Sequence, residues 1–502
     1  MNDFNSSTAL KTLRDLEAKL SAYEHAMGVL SLDAATAAPK GSAEGRGCTM
    51  AVLSEALYQL LASPKNATLL RSLEAQRDAL DARAVRETEL LRKNYDQITR
   101  IPPDEYVAYS VLVNKAQSVW EQAKHASDFA QFAPYLEKII AFNQKFAGYY
   151  DPAKAPYDAL LNEYEEGMTM ETLDQFFAQL RQTLVPLIAR VKAAPQIDDS
   201  FLHQVYPLDR QRQLSTYLLS VLGLDPQYCS IAESEHPFTT SFHNRDARVT
   251  THYYETDMAA SLYSVIHEGG HAMYELGCRE EYNQTFLFGG ASMGIHESQS
   301  RFFENLIGRS ESFLTYIFPK LVELFPDQLQ GVTPHQFWRA VNKAGPSFIR
   351  TEADELTYCM HVMVRYELEK QLIAGTLSVQ DLPAQWNRLY REYLGIDVPD
   401  DRRGCLQDSH WAGGQIGYFP SYALGSAYGP QMLRCMQAQL GDIWGPISNG
   451  DLSQVKQWLH TNIHQFGRLY APGNLFEMAC GTFDAKYYTD YLTEKYTKLY
   501  NL

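Results

Sequence analysis

The chain has 502 residues, 45% of them hydrophobic, with 44 Lys plus Arg against 60 Asp plus Glu and a formal net charge of −16. That length suits two or three packed lobes better than one core, and the apolar content is ordinary for a soluble globular protein. The acidic balance argues against nucleic acid or an anionic membrane surface as a partner, because both select a basic face.

Met1-Asn2-Asp3-Phe4-Asn5 lacks the basic stretch and apolar core of a secretory leader. No apolar run approaches the ~20 residues that span a bilayer. The cysteines (Cys48, Cys229, Cys278, Cys359, Cys405, Cys435 and Cys480) are scattered without a C-x-x-C pair. That pattern fits a reducing compartment and argues against Cys ligation of a metal. A cytoplasmic protein is expected.

In chain order, Leu13, Leu16, Leu20 and Tyr23 fall at helical spacing between Ser7 and His25 and predict an amphipathic helix. Leu32-Asp33 through Pro39-Lys40-Gly41 reads as a break, followed by a helical run to about Ala62. The charged, periodic stretch from Asn66 to Thr99 ends at Ile101-Pro102-Pro103. One long helical stretch, from about Glu105 to Phe146, then carries Trp120. This first third reads as an antiparallel helical lobe. Pro156 opens a helix to about Tyr164, Gly167 stops it, and Thr169 is the expected N-cap of the next. The connection from Ala194 to Asp199 marks the expected boundary between lobes 1–195 and 196–502.

Between Cys229 and Tyr254 the texture changes. His236-Pro237-Phe238-Thr239-Thr240-Ser241-Phe242 and Val249-Thr250-Thr251-His252-Tyr253-Tyr254 flank Asn244-Arg245-Asp246, which predicts a small β-hairpin. A strand beside a cleft can pair with an extended peptide; a hairpin that merely closes the core fits the pattern equally well. Further on, Phe302 to Phe325 reads as buried helix, Pro334 to Lys343 as a short helix, and Ser347 to Ala374 as a strong one. Residues 394–404 read as loop, 404–422 are rich in glycine and aromatics, and helices resume to Tyr500.

Directly after the hairpin comes Val265-Ile266-His267-Glu268-Gly269-Gly270-His271, an H-E-x-x-H pattern in an apolar helical run. His residues at i and i+4 share one helical face and can reach one metal ion. Glu268 is placed to take a proton from a water there. Gly269 and Gly270 each cost about 1 kcal/mol against Ala in a helix interior, so a neighbouring element must need a bare backbone. Gly277 is the expected residue beyond the helix end. Glu297, within His296-Glu297-Ser298-Gln299 and after the glycine-rich 288–294 loop, is the candidate third ligand, with Arg301 and Glu304 on its face. Spacing alone leaves an ordinary surface ion pair open as the alternative.

Arg350, Asp354, Tyr358, His361 and Arg365 make a polar stripe on the expected 347–374 helix. A solvated face is the commoner meaning; the functional one is that Arg350 grips a carboxylate such as a peptide C-terminus. Gln407-Asp408-Ser409-His410-Trp411 with Tyr418 and Tyr422 offers a His and a Tyr to a tetrahedral oxyanion, or simply aromatic core.

Taken together, His236-Pro237-Phe238, Asp246-Ala247-Arg248-Val249-Thr250, His267 to His271, His296 to Gln299, Ile349-Arg350 through Tyr358 and Gln407 to Trp411 resemble the carboxypeptidase Taq family of metallocarboxypeptidases, over nearly the whole chain. The resemblance implies a mainly α, two-lobed, neurolysin-like fold, with the N-terminal lobe a lid over a deep groove and a small sheet beside the H-E-x-x-H helix. It implies His267, His271 and Glu297 as metal ligands for Zn2+ (Co2+ or Mn2+ as substitutes) and Glu268 as general base. Arg350 would hold the substrate's terminal carboxylate, and His236, Arg248 and His410 would face the cleft. Tyr418 matches the tyrosine that steadies the transition state, with Tyr422 in reserve. A homodimer acting on peptides with free C-termini is implied; cutting internal bonds, or binding peptides without catalysis, are the alternatives.

Overall fold

Local stop signals divide the helical chain more finely than its periodicity suggests. The computed structural model describes residues 6–502, so the leader expectation drawn from Met1–Asn5 lies outside the described residues. Helix α1 (Ser6–Thr36) runs straight through Leu32-Asp33, where a break was expected. Neither residue is a breaker; the helix stops where Asp33 O accepts from both Ala37 N and Ala38 N, just ahead of Pro39. After α2 (Ala43–Leu61), the 66–99 stretch splits into α3 (Pro64–Glu74) and α4 (Ala82–Thr99), the latter capped by the Asp81 side chain on Ala84 N. The 105–146 run likewise splits into α5 (Pro103–Ala126) and α6 (Phe129–Tyr150), because Ser127 turns to φ 55° and Asp128 caps the new helix. The expected α7 (Pro156–Tyr164) and α8 (Met170–Ala193) follow, Thr169 capping α8 as predicted, and then α9 (Leu208–Val221).

The hairpin is present as β2 (Thr239–His243) and β3 (Asp246–Thr251). It belongs to a larger sheet. β1 (Cys229–Glu233) pairs parallel to β3, with Cys229 opposite Ala247 and Glu233 opposite Thr251. The order β1-β3-β2 leaves β3 central and β2 at an edge. β1 escaped detection because only Cys229 of its residues is buried, so its sequence shows no alternation to read.

Helix α10 (Met258–Leu276) carries the H-E-x-x-H pattern, and α11 (Met293–Arg301) runs on into a π-helical stretch, Phe302–Gly308. Then come α12 (Glu311–Leu324), α13 (Pro334–Val341), α14 (Tyr358–Ile373), α15 (Leu382–Leu394) and α16 (Phe419–Leu440). Helices α17 (Trp444–Ser448), α18 (Ser453–Asn462), α19 (Pro472–Cys480) and α20 (Lys486–Tyr500) complete the chain. The expected helix from Ser347 begins only at Tyr358, after a single 3-10 turn at Arg350–Glu352. Asp354 is the reason: its carboxylate accepts from the backbone N–H of Gly345, Leu356 and Thr357, which holds the segment in an irregular path.

One large apolar core extends from Ala116 in α5 to Tyr500 in α20. A separate cluster joins Ala9, Leu13, Leu16 and Leu20 of α1 to Leu69, Leu70 and Leu73 of α3 and Leu91 of α4. Among the described residues no helix is long and apolar enough to cross a membrane.

The paired glycines of α10 have the expected cause. A Cβ on Gly269 would lie 2.5 Å from Leu222 Cδ1, and one on Gly270 would lie 2.7 Å from both Gln299 O and Ser300 Cα of α11. From the other side, a Cβ on Gly425 of α16 would lie 2.5 Å from Glu297 Cβ. Helix α11 is therefore clamped between two helices that present glycine to it. Gly277 follows α10 as expected but with φ −81°, so left-handed capping is not its purpose. A Cβ there would lie 2.6 Å from His464 Cβ.

Gly270→Ala tests the clamp. Helix propensity alone would favour Ala by about 1 kcal/mol, whereas overpacking against backbone costs about 1–3 kcal/mol. A lowered thermal midpoint is expected by calorimetry, and a raised one would show that α11 can move aside.

Candidate active site

Positions one turn apart on α10 bring His267 and His271 to the same face, and α11 brings Glu297 across from them. Glu297 Oε2 lies 3.7 Å from His267 Nε2 and 3.6 Å from His271 Nε2, and the three candidate ligand atoms lie within 4.8 Å of one another. A tetrahedral divalent ion with bonds of about 2.0–2.2 Å sets its ligand atoms roughly 3.3–3.5 Å apart. The two His–Glu297 separations therefore need only slight contraction around an ion.

The hydrogen bonds behind the imidazoles set which nitrogen faces the group. His267 Nδ1 is 2.8 Å from Glu304 Oε2. His271 Nδ1 is 2.6 Å from His296 Nδ1, and His296 Nε2 is 2.6 Å from Glu275 Oε1. A carboxylate accepts, so His296 carries its proton on Nε2 and accepts at Nδ1, and His271 Nδ1–H donates. The same logic puts a proton on His267 Nδ1. Both Nε2 lone pairs then point, with the Glu297 oxygen, at one place. Two lone pairs and an anion repel unless a cation lies between them, so the donor set fits a metal.

Burial works against an ionised Glu297, but Arg301, with Nε 2.8 Å from Oε1, and the two imidazoles hold its carboxyl well below the usual range. Burial holds His271 down to about 3. Burial opposes charge on His267 too, yet Glu297 and Glu304 raise it above its ordinary value. Glu304 is itself kept at about 2, against burial, by Arg301 and the His267 hydrogen bond.

Glu268 is only 6% exposed. Its Oε2 accepts from Thr239 Oγ1 at 2.7 Å, which ties the edge strand β2 to this carboxyl. Burial pushes the Glu268 carboxyl up, toward the range of a proton carrier.

Arg350 stands on the 3-10 turn and is 5% exposed. Its Nε and Nη2 lie 3.0 and 2.9 Å from Asp408 Oδ1, while Arg365 grips Asp408 Oδ2 at 2.9 and 2.6 Å. Two guanidinium groups share one carboxylate, leaving net positive charge. The solvated-face meaning of the 350–365 stripe is thereby corrected: Arg350, Tyr358, His361 and Arg365 are buried, and Arg350 is not on the same helix as the others. Arg350 Nη1 also lies 3.1 Å from Tyr358 OH. Arg301 lies over the Tyr358 ring at 4.3 Å, so Tyr358 bridges the Glu297 side to Arg350.

The 407–422 segment completes this wall. Gln407 Oε1 accepts from Arg350 N at 2.9 Å. His410 Nε2 is 3.2 Å from Tyr422 OH, the His410 and Tyr418 rings stack at 5.5 Å, and Tyr418 meets Tyr422 edge-on at 5.0 Å. Arg350 lies 4.8 Å from the Tyr422 ring centre. Burial lowers His410 to about 4 and raises Tyr418 to about 12; it raises Tyr422 further. At neutral pH these are a neutral imidazole and two intact phenols.

A family model described as "Carboxypeptidase Taq (M32) metallopeptidase" matches residues 12–496. The chain belongs to that family. Carboxypeptidase 1 of Bacillus subtilis is 41% identical over 494 residues, covering 98% of this chain and 99% of that protein. Thermostable carboxypeptidase 1 of Thermus thermophilus is 37% identical, over 96% of this chain and 97% of its own. The crystal structure of an M32 carboxypeptidase from Deinococcus radiodurans superposes with a TM-score of 0.96 at 36% identity, covering 99% of this chain and 100% of that one. Membership makes the chain a metallocarboxypeptidase, a peptide hydrolase of mainly helical fold.

In this carboxypeptidase Taq family member two sequence candidates stand apart from the ligand group. Arg248 is held by Asp246 through two contacts of 2.9 Å and lies 5.0 Å from the Phe242 ring. His236 is exposed on the turn before β2, its carbonyl accepting from Ser234 Oγ at 2.7 Å. Sequence reasoning missed Thr239 and Glu275. Glu275 was findable, four residues beyond His271 on the same helical face; Thr239 carried no signal outside its hairpin.

If His296 and Glu275 orient His271, His296→Ala should weaken metal binding about 10–100-fold. Competition with a chromophoric chelator measures this directly; unchanged affinity would mean the relay is only packing.

Proposed function

We propose that this enzyme removes single residues from peptide C-termini, with zinc held by His267, His271 and Glu297 as its metal. The observation that carries the reading is the convergence of two imidazole Nε2 atoms and a Glu297 oxygen beside the buried Glu268 carboxyl. The donor set of two His and one Glu suits zinc, and Co2+ or Mn2+ would be accepted as substitutes. A zinc ion there supplies Lewis acidity, polarising the carbonyl to be cut and lowering the pKa of water toward ~7.

The chain's own groups do the rest. Glu268, oriented by Thr239, takes the proton of the attacking water and hands it to the leaving amine. His410 and Tyr418, with Tyr422 as the alternative phenol, donate to the oxyanion that forms on the scissile carbonyl. Arg350 receives the terminal carboxylate, and its net positive triad with Asp408 and Arg365 suits an anion. That contact fixes the distance from chain end to reactive group, so one residue is released per cut. The free edge of β2 offers backbone pairing to the substrate, with His236 and Arg248 beside it for upstream contacts.

The lobes are assigned as 1–195 and 196–502, the former acting as lid over the groove. The separate apolar cluster of α1, α3 and α4 supports these as the part that closes. We further propose a homodimer in the cytoplasm; the scattered free cysteines suit a reducing compartment.

Glu268→Gln should retain stoichiometric metal yet lose turnover by several orders of magnitude, as measured by metal analysis and product mass spectrometry on one sample. Retained turnover would remove Glu268 from the role of base. C-terminally amidated peptides should be cut at least ~10²-fold more slowly than free acids, and Arg350→Lys should narrow that ratio. Equal rates would instead favour an enzyme that cuts internal bonds.

A further inference from the structure

Cysteines scattered along the sequence are not all scattered in space. Cys229, Cys278, Cys359 and Cys405 are buried, Cys48 is exposed, and Cys435 and Cys480 are half-buried. Cys435 lies near the end of α16 and Cys480 is the last residue of α19. The Cys435 thiol donates to the Cys480 carbonyl at 3.7 Å, which sets its sulfur against the Cys480 backbone.

The contact is held by its surroundings. Gln431, one turn before Cys435 on the same face, donates from Nε2 to Cys480 O at 3.2 Å and Thr482 O at 2.9 Å, and its Oε1 accepts from Asp484 N at 3.0 Å. Beside it the Tyr428 ring packs against Phe476 at 4.5 Å and Phe483 at 4.9 Å. Both backbones are therefore fixed at the point where the Cys435 thiol meets Cys480.

We propose that Cys435 and Cys480 form a modification site, a thiol pair that closes to a reversible disulfide on exposure to a peroxide. The Cys435 thiolate attacks the peroxide, forming an S–O bond and breaking the O–O bond, and hydroxide leaves as water with a proton. The Cys480 thiol then attacks the sulfenic sulfur; the S–S bond forms, the S–OH bond breaks, and the thiol proton leaves with the hydroxide as a second water. The sum is two thiols and one hydrogen peroxide giving one disulfide and two waters. Burial pushes the Cys480 thiol up, so the attacking thiol still carries the proton that the leaving hydroxide takes. The bond would tie α16 to α19. Cys435 is thirteen residues along α16 from Tyr422, about 20 Å along the axis, so the site's own chemistry is left intact.

The full-length, metal-loaded enzyme treated with hydrogen peroxide in slight excess, then alkylated in denaturant and mapped by mass spectrometry, should yield a Cys435–Cys480 cross-linked peptide. Dithiothreitol should remove it. Cys435→Ser and Cys480→Ser should each abolish the cross-link while keeping basal peptidase activity, and Cys48→Ser should leave it unchanged. Absence of the cross-linked peptide, or separate oxidation of either cysteine to the sulfinic acid in its place, would overturn the proposal.

Discussion

The structure depends on holding one buried carboxylate, Glu297, against two imidazoles, His267 and His271. Glu297 is 8% exposed, and an ion taken that far from water loses several kcal/mol of solvation unless neighbours restore it. Arg301 on the same helix face supplies the first compensation and the imidazoles the second. A cation between them would supply the third. The requirement is geometric as much as electrostatic, because a displacement of an ångström would cost the convergence. This explains glycine on both helices that grip α11. Gly270 and Gly425 let α10 and α16 approach to backbone contact, and close-packed backbones have little room to shift.

From Glu297 a continuous run of polar contacts leads to Arg350 and Asp408. Arg301 joins Glu297 and Glu304 and lies over Tyr358; Tyr358 meets Arg350; Arg350 and Arg365 share Asp408. Each buried charge has an opposite neighbour, which is the condition for keeping them all in a low-dielectric interior. The same run sets the spacing between the His267–His271–Glu297 group and Arg350.

How much of this was legible in advance varied with the range of the interaction involved. The His267–His271 pair, Glu268 between them and the Glu297–Arg301–Glu304 face were readable because i, i+4 and i+7 neighbours meet on any helix. The need for bare backbone at Gly269 and Gly270 was readable from helix propensity, though not which element came close. The Arg350 stripe was misread because Asp354 diverts the backbone from helix, and a side chain that captures three N–H groups leaves no trace in periodicity. β1 was missed because a short edge strand with one buried residue has no alternation to display. Cys435 and Cys480, far apart in the chain, gave no sign of their contact.

The sequence by itself determined the helical class, the hairpin, the H-E-x-x-H pattern on α10 and, through its motifs, the family. These rest on local periodicity, turn chemistry and residue identity, which any segment carries with it. Only the tertiary structure decided that Glu297 faces both imidazoles, that His296 and Glu275 stand behind His271, that Thr239 holds Glu268, and that Arg350 shares Asp408 with Arg365. Each of these joins segments distant in the chain, and their meeting is set by the packing of helices on one another.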